Sequence, residues 1–174
     1  MEKTSPEVRR LASEHASAYV ALRREMLLDS PWAFGSSPED DRRTDAAAVA
    51  AMFQEADKTF VGLFEAGRLV STAGLLRHAK IKRKHTSEII GVYTSPDARS
   101  KGYGRACVAA LIEIARSTPG VEVVGLSVTD RAVRAHAMYV TMGFLPWGVE
   151  PDAVRAGGGR HALIHMRLEL FPQS

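Results

Sequence analysis

A chain of 174 residues with 45% hydrophobic and 25% charged side chains has the length and balance of one globular domain with a real core. No apolar run reaches the length of a membrane span and the polar start, Met1-Glu2-Lys3-Thr4-Ser5-Pro6-Glu7, has no signal-peptide core, so a soluble cytoplasmic protein is expected. A net charge of +3, from 23 basic residues mixed with 20 acidic ones, suits a polyanionic small ligand better than nucleic acid, and the lone Cys107 excludes an internal disulfide.

Residues 11–29 read as a helix with Tyr19, Leu22 and Met26 on one face, ended by Ser30-Pro31. Residues 31–44, opening with Pro31-Trp32-Ala33-Phe34, read as a loop. Residues 45–57 suit a second helix, since Val49, Met52, Phe53 and Ala56 share a face and Asp45 lies where a helix start favours negative charge. Strands are expected at 59–65 and 68–76, joined by a hairpin at Ala66-Gly67. The cationic run Arg77, Lys80, Lys82, Arg83 and Lys84 sits between two strand-like segments and reads as a solvated hairpin loop. A third strand, 87–94, leads into a helix from 104 to 117, which Thr118-Pro119-Gly120 stops. A strand at 121–129 and a helix at 131–142, ended by Gly143, follow. The last strands, 144–149 and 161–170, are bridged by a loop containing Gly157-Gly158-Gly159 that is expected to be mobile. A strand joined through a helix to the next strand implies a right-handed parallel crossover, and the hairpins imply antiparallel pairs. The expected fold class is α/β (α+β): one domain over 1–174, with a mixed sheet and helices on its faces.

The segment Val92-Tyr93-Thr94-Ser95-Pro96-Asp97-Ala98-Arg99-Ser100-Lys101-Gly102-Tyr103-Gly104-Arg105 carries the chemistry. It places two glycines in the first turn of a helix that directly follows a strand. The first amides of a helix have no internal partners, glycines let an anion come close, and the dipole with Arg99, Lys101 and Arg105 favours negative charge. This is a cradle for a phosphate or pyrophosphate. It is no P-loop, because G-x-x-x-x-G-K-[ST] does not occur. The Rossmann fingerprint fails too, since Cys107 stands at the third glycine position and only one crossover unit exists.

Arg99-x-x-Gly102-x-Gly104 after a strand resembles the acetyl-coenzyme A signature [RQ]-x-x-G-x-[GA] of the GCN5-related N-acetyltransferase family. Ala135-His136-Ala137-Met138-Tyr139-Val140-Thr141-Met142-Gly143-Phe144 resembles its second block, A-x-x-[LM]-Y-x-x-x-G-F, and Pro31-Trp32-Ala33-Phe34 looks like an acceptor-side segment of the family. The resemblance implies a mostly antiparallel central sheet containing one splayed parallel pair. It also implies acetyl transfer from acetyl-coenzyme A to a primary amine of a small molecule or peptide, with a homodimer compatible. The diphosphate would lie on the amides of Ser100, Lys101, Gly102, Tyr103, Gly104 and Arg105. The pantetheine arm would pair with the backbone of Val92, Tyr93 and Thr94, where Gly91 tolerates a bulge, and an N–H near Val92 would stabilise the oxyanion. Tyr139, with an ordinary pKa of about 10, is the candidate acid for a thiolate whose parent thiol has a pKa of about 8.5; its other reading is a core aromatic. Glu88 is the candidate base, or an ordinary edge carboxylate. Trp32 and Phe34 line the acceptor mouth or cover the sheet edge. Many members carry Asn seven residues before the tyrosine, where this chain has Ala132, so a polar contact is absent or supplied by Thr129 or Asp130.

His136 and His165 are read as packed or surface groups, and Cys107 as a packed residue of its helix rather than a nucleophile. No cluster has metal-ligand spacing, so no metal is expected. A non-catalytic acyl-coenzyme A sensor is the alternative function, and a nucleic-acid-binding domain using the Lys80 to Lys84 loop ranks last.

Overall fold

Among the described residues, two α-helices lie on one face of a seven-stranded sheet and two on the other. The computed structural model describes residues 6–171; residues 1–5, the polar start, and 172–174 lie outside them. The strands are β1 (Val8–Arg10), β2 (Lys58–Glu65), β3 (Arg68–Arg77), β4 (Thr86–Thr94), β5 (Val123–Thr129), β6 (Leu145–Ala156) and β7 (Gly159–Glu169), in the spatial order β1-β2-β3-β4-β5-β7-β6. The helices are α1 (Ala16–Asp29), α2 (Ala46–Met52), α3 (Tyr103–Ser117) and α4 (Val133–Thr141). Every strand pair is antiparallel except β4 with β5, which the α3 crossover makes parallel.

The sheet divides two cores. On one face, Cys107, Val108, Leu111, Ile112 and Ala115 of α3 pack with Val70, Ile89, Val124, Met166 and Tyr139. On the other, Tyr19, Leu22 and Met26 of α1 meet Val49 of α2 and Phe53, Phe60 and Leu69. Alternation along the strands decides which face each residue serves: Val124, Leu126 and Val128 go to the α3 side, leaving Gly125, Ser127 and Thr129 for the α1 side.

The structure corrects four expectations. The strand β1 was not anticipated; at three residues it is too short to show alternation, and it exists by pairing with β2. Residues 11–29 divide into a 3-10 turn, Ser13–His15, and α1. The second helix is shorter than its pattern: Asp45 is its cap, accepting from the Ala48 N–H at 2.9 Å, and the helix ends at Met52 with Phe53 anchored in the core. Finally, residues 150–160 are no mobile loop. They form the far half of a long β6–β7 hairpin closed by Gly157 (φ +58°) and Gly158 (φ +76°). Two positive φ angles in a two-residue turn match the twist of a hairpin, so the glycines mark a turn between strands. No helix of the described residues is long and apolar enough to cross a membrane.

Candidate functional site

The sheet opens between β4 and β5. Their pairing comprises Thr86↔Val123, Ser87↔Val124 and Glu88↔Gly125 and stops there, while β5 continues along β7 to Thr129↔Leu163. From Ile89 to Thr94 the β5-facing edge of β4 therefore borders a gap. Opposite β3 the register slips: Gly74 pairs with Ile90 but Thr72 with Tyr93, so β4 inserts an extra residue at Gly91-Val92. Gly91 has φ +58° and lies in open space, the position at which the bulge turns the strand outward.

At the end of the gap, β4 gives way to a 3-10 turn, Pro96–Ala98, and then to two left-handed residues, Ser100 (φ +64°) and Gly102 (φ +79°). For Ser100 that conformation costs about 1–2 kcal/mol. Gly102 caps α3 with no side-chain hydrogen bond, so the first-turn amides are left for an external acceptor. A Cβ at Gly104 would lie 3.3 Å from Thr94 Oγ1: the helix start rests hard against the strand end. Across the gap, α4 places Tyr139 in the apolar cluster that also takes in Val92 and Tyr103. Tyr139 is 5% exposed and sits edge-on to Phe144 at 5.9 Å. Burial pushes its phenol well above the ordinary value.

The sequence model of the acetyltransferase (GNAT) family matches residues 19–144. The chain belongs to this family. A search of curated proteins found no match. Solved structures share the fold: the GNAT-family acetyltransferase of Streptococcus pneumoniae (TM-score 0.85, 15% identity, 95% of this chain and 99% of that one), and yncA of Salmonella typhimurium, solved with its cofactor acetyl-CoA (0.84, 20%, 98% and 97%). The ribosomal-protein-alanine N-acetyltransferase of Brucella melitensis is also similar (0.75, 20%, 93% and 98%).

In this GNAT chain the cations of the glycine turn are already engaged. Arg99 donates Nε to the Thr94 carbonyl at 3.1 Å, lies 5.7 Å from the Tyr93 ring centre and pairs with Asp29 of α1. Lys101 holds Glu65 at 2.8 Å, and the Tyr103 hydroxyl donates to the same carboxylate at 3.1 Å. Arg105 donates to Thr141 Oγ1 at 2.7 Å, tying α3 to α4. The main chain of residues 100–105 thus faces the turn while Arg99 and Lys101 brace it. Tyr93 points to the α1 side, where its hydroxyl donates to Glu25 at 3.2 Å. Cys107 is fully buried, its thiol pushed up to about 11 by burial against a weak contact with Ser71, and is inert.

Glu88 stands on the last parallel rung, half-buried, on the α1 side with Ile90. The 3-10 turn Pro31–Ala33 crosses this side and packs on β5 and β6. Phe34 meets Tyr93 at 6.4 Å and Trp32 lies under Arg131 at 5.0 Å, so the segment spans the opening from β4 to the end of β5. Beside it, a cavity of about 480 Å³ is floored by Phe60, Leu76 and Ile90 and walled by Asp41 and Arg43. That wall is fixed by a buried two-pronged pair, Arg23 to Asp41 at 2.9 and 3.1 Å. Burial acts to raise the Asp41 pKa, but Arg23, with Arg43, holds it below the ordinary carboxylate value.

Ala132 is the α4 N-cap and supplies no side-chain bond. Of the two suggested substitutes, Asp130 faces His161 at 3.7 Å, whereas Thr129 Oγ1 is buried with no hydrogen-bond partner among the described residues. The α1 side of β5, β7 and β6 also carries Ser127, His165, Trp147 and Glu150, which the sequence leaves unassigned. They come from three strands; the only signal is the alternation of His161, Leu163, His165 and Arg167 on one face of β7.

Proposed function

We propose that this GNAT protein moves an acetyl group from acetyl-coenzyme A to the nitrogen of a primary amine, by direct attack of the amine on the thioester. The observation that carries the reading is the parting of β4 and β5, which joins three features in one opening: an unpaired strand edge, a left-handed glycine turn at a helix start, and a buried tyrosine in the apolar cluster that takes in Val92.

The residues fit the donor. Amides of 100–105 suit a diphosphate, and a side chain at position 104 would crowd Thr94 Oγ1, 3.3 Å from a Cβ there. The free edge of Val92, Tyr93 and Thr94 offers strand-like partners to an amide-bearing arm, and an N–H at the bulge suits the carbonyl oxygen of the reacting group. Acetyl-coenzyme A supplies the activated acetyl group. Tyr139 donates a proton to the departing sulfur and is reprotonated from solvent. Trp32 and Phe34 form the acceptor mouth, and Glu88, on the last rung shared by β4 and β5, is a carboxylate at the head of the opening.

The test is thiol release from acetyl-coenzyme A with a panel of small amines and peptide N-termini, alongside calorimetry of acetyl-coenzyme A binding. Amine-dependent release supports transfer. Saturable binding without release to any acceptor favours the sensor reading, and no binding refutes both.

A further inference from the structure

We propose that Ser127, His165 and Glu150 form a proton relay that deprotonates the acceptor, and that the face they occupy admits a cationic primary amine. This rests on the transferase reading above and names the residues on its acceptor side.

Ser127 and His165 are cross-strand partners on β5 and β7, with Ser127 Oγ 2.8 Å from His165 Nδ1. The other ring nitrogen, Nε2, lies 3.4 Å from Glu150 Oε2 on β6, and Trp147 stacks on the imidazole at 5.3 Å and 27°. A carboxylate 3.4 Å from Nε2 favours the tautomer with its hydrogen on that nitrogen, by charge proximity rather than by a formed hydrogen bond, and leaves the Nδ1 lone pair for the serine hydroxyl. The order hydroxyl, imidazole, carboxylate is that of a base biased toward one tautomer from behind. The side chain of His165 is 26% exposed, so it is held in place yet open to exchange.

The location suits the task. Ser127 is exposed and lies two residues past Gly125, the last rung shared with β4, hence roughly 7 Å along the splayed part of β5. It faces the α1 side, while Tyr139 comes from α4 on the other side. The proton acceptor and the proton donor thus flank the opening from opposite faces. The described neighbours of His165 on the elements packed around it are these. Along β7, Arg167 is paired with Glu169 at 2.8 Å and His161 lies 3.7 Å from Asp130; from β5 and β6 come Ser127 and Glu150; the segment above brings Trp32 with Arg131.

The protons balance as follows. The ammonium group gives one proton to Ser127 Oγ as Ser127 passes its own to Nδ1, and Glu150 steadies the imidazolium. The freed lone pair forms the C–N bond. As the C–S bond breaks, its electron pair takes a proton from Tyr139, and the nitrogen sheds its second proton, which restores Tyr139 through solvent. His165 then releases the first proton, so each turnover yields amide, thiol and one proton.

The experiment compares wild type with His165→Gln, Ser127→Ala and Glu150→Gln, using acetyl-coenzyme A with 1,4-diaminobutane and glycinamide, and with hydroxylamine, which is neutral at pH 7. His165→Gln should lower kcat/KM for the alkyl ammonium acceptors about a hundredfold at pH 7, recover as pH rises toward the amine's own pKa, and leave hydroxylamine nearly unchanged. Ser127→Ala, which keeps the strand pairing, should show the same pattern. Nitrogen-15 spectra of the unliganded protein should report the Nε2-protonated tautomer for His165 and lose that preference in Glu150→Gln. An equal loss for hydroxylamine and alkylamines, no loss at all, or an Nδ1-protonated imidazole overturns the relay while wild-type turnover keeps the transferase reading. Wild type that acetylates no amine overturns both.

Discussion

The glycine turn and the β5–β7–β6 face border the same opening but are made of different material. The turn is main chain: left-handed φ values at Ser100 and Gly102, uncapped amides of α3 and a glycine pressed against Thr94. The facing surface is side chain: Ser127, His165, Glu150 and Trp147 from three strands, with Trp32 arriving from the far end of α1. A site made of backbone must recruit specific residue types at fixed spacing, because only glycine suits certain angles and contacts. A site made of side chains needs only that strands lie side by side.

The strongest way to break the comparison is Gly104→Glu. It adds bulk where a Cβ already meets Thr94 at 3.3 Å and a negative charge where an anion would sit. Acetyl-coenzyme A affinity should fall about a thousandfold, ~4 kcal/mol, in calorimetry. Retained affinity would mean that the turn does not hold the ligand.

Next comes Asp41→Ala, which strands the buried Arg23 and should cost about 3–5 kcal/mol in denaturant unfolding. The sign with pH follows from the lowered carboxyl value. Since the folded pKa lies below the unfolded one, the pair's contribution is complete above about pH 4 and is lost as pH falls through the folded value. Wild-type stability should drop across that acid range, and the variant's should drop less.

Tyr139→Phe keeps the buried ring and removes the proton. Turnover should fall about a hundredfold, with acetyl-coenzyme A affinity nearly unchanged. An unchanged rate would make Tyr139 a core aromatic only. The smallest effect is expected at the hairpin turn: Gly158→Val, at φ +76°, should destabilise by about 1–2 kcal/mol in thermal unfolding without altering affinity at the turn.

The same contrast explains what was legible in the sequence. The sheet with its one parallel pair and the apolar faces of its helices follow from alternation and spacing, while the bulge at Gly91 is what the family resemblance implies. The far half of the hairpin was not legible. Residues 150–160 carry little apolar patterning, and their register holds two surplus residues between Glu150 and Val154, with Asp152 at φ +53°. Those irregularities hide the strand period, and Gly157-Gly158 reads equally as a turn or a slack loop. At the site, residues 99–105 announced themselves because they are contiguous. The pairing of Arg99 with Asp29 and of Lys101 with Glu65 did not, since each joins segments far apart in the chain. His165 was passed over because a lone histidine in a strand says nothing of the serine and glutamate beside it.

The internal pairing of Arg99 and Lys101 bears on how a ligand arrives. A cation neutralised by its own carboxylate projects little field beyond its immediate surroundings, and at 0.1 M salt such fields fade within about 10 Å in any case. Capture at the turn therefore depends on short-range amide dipoles rather than on long-distance attraction. The association rate measured by stopped flow should change little between dilute buffer and physiological ionic strength, unlike that of a site ringed by bare lysines and arginines.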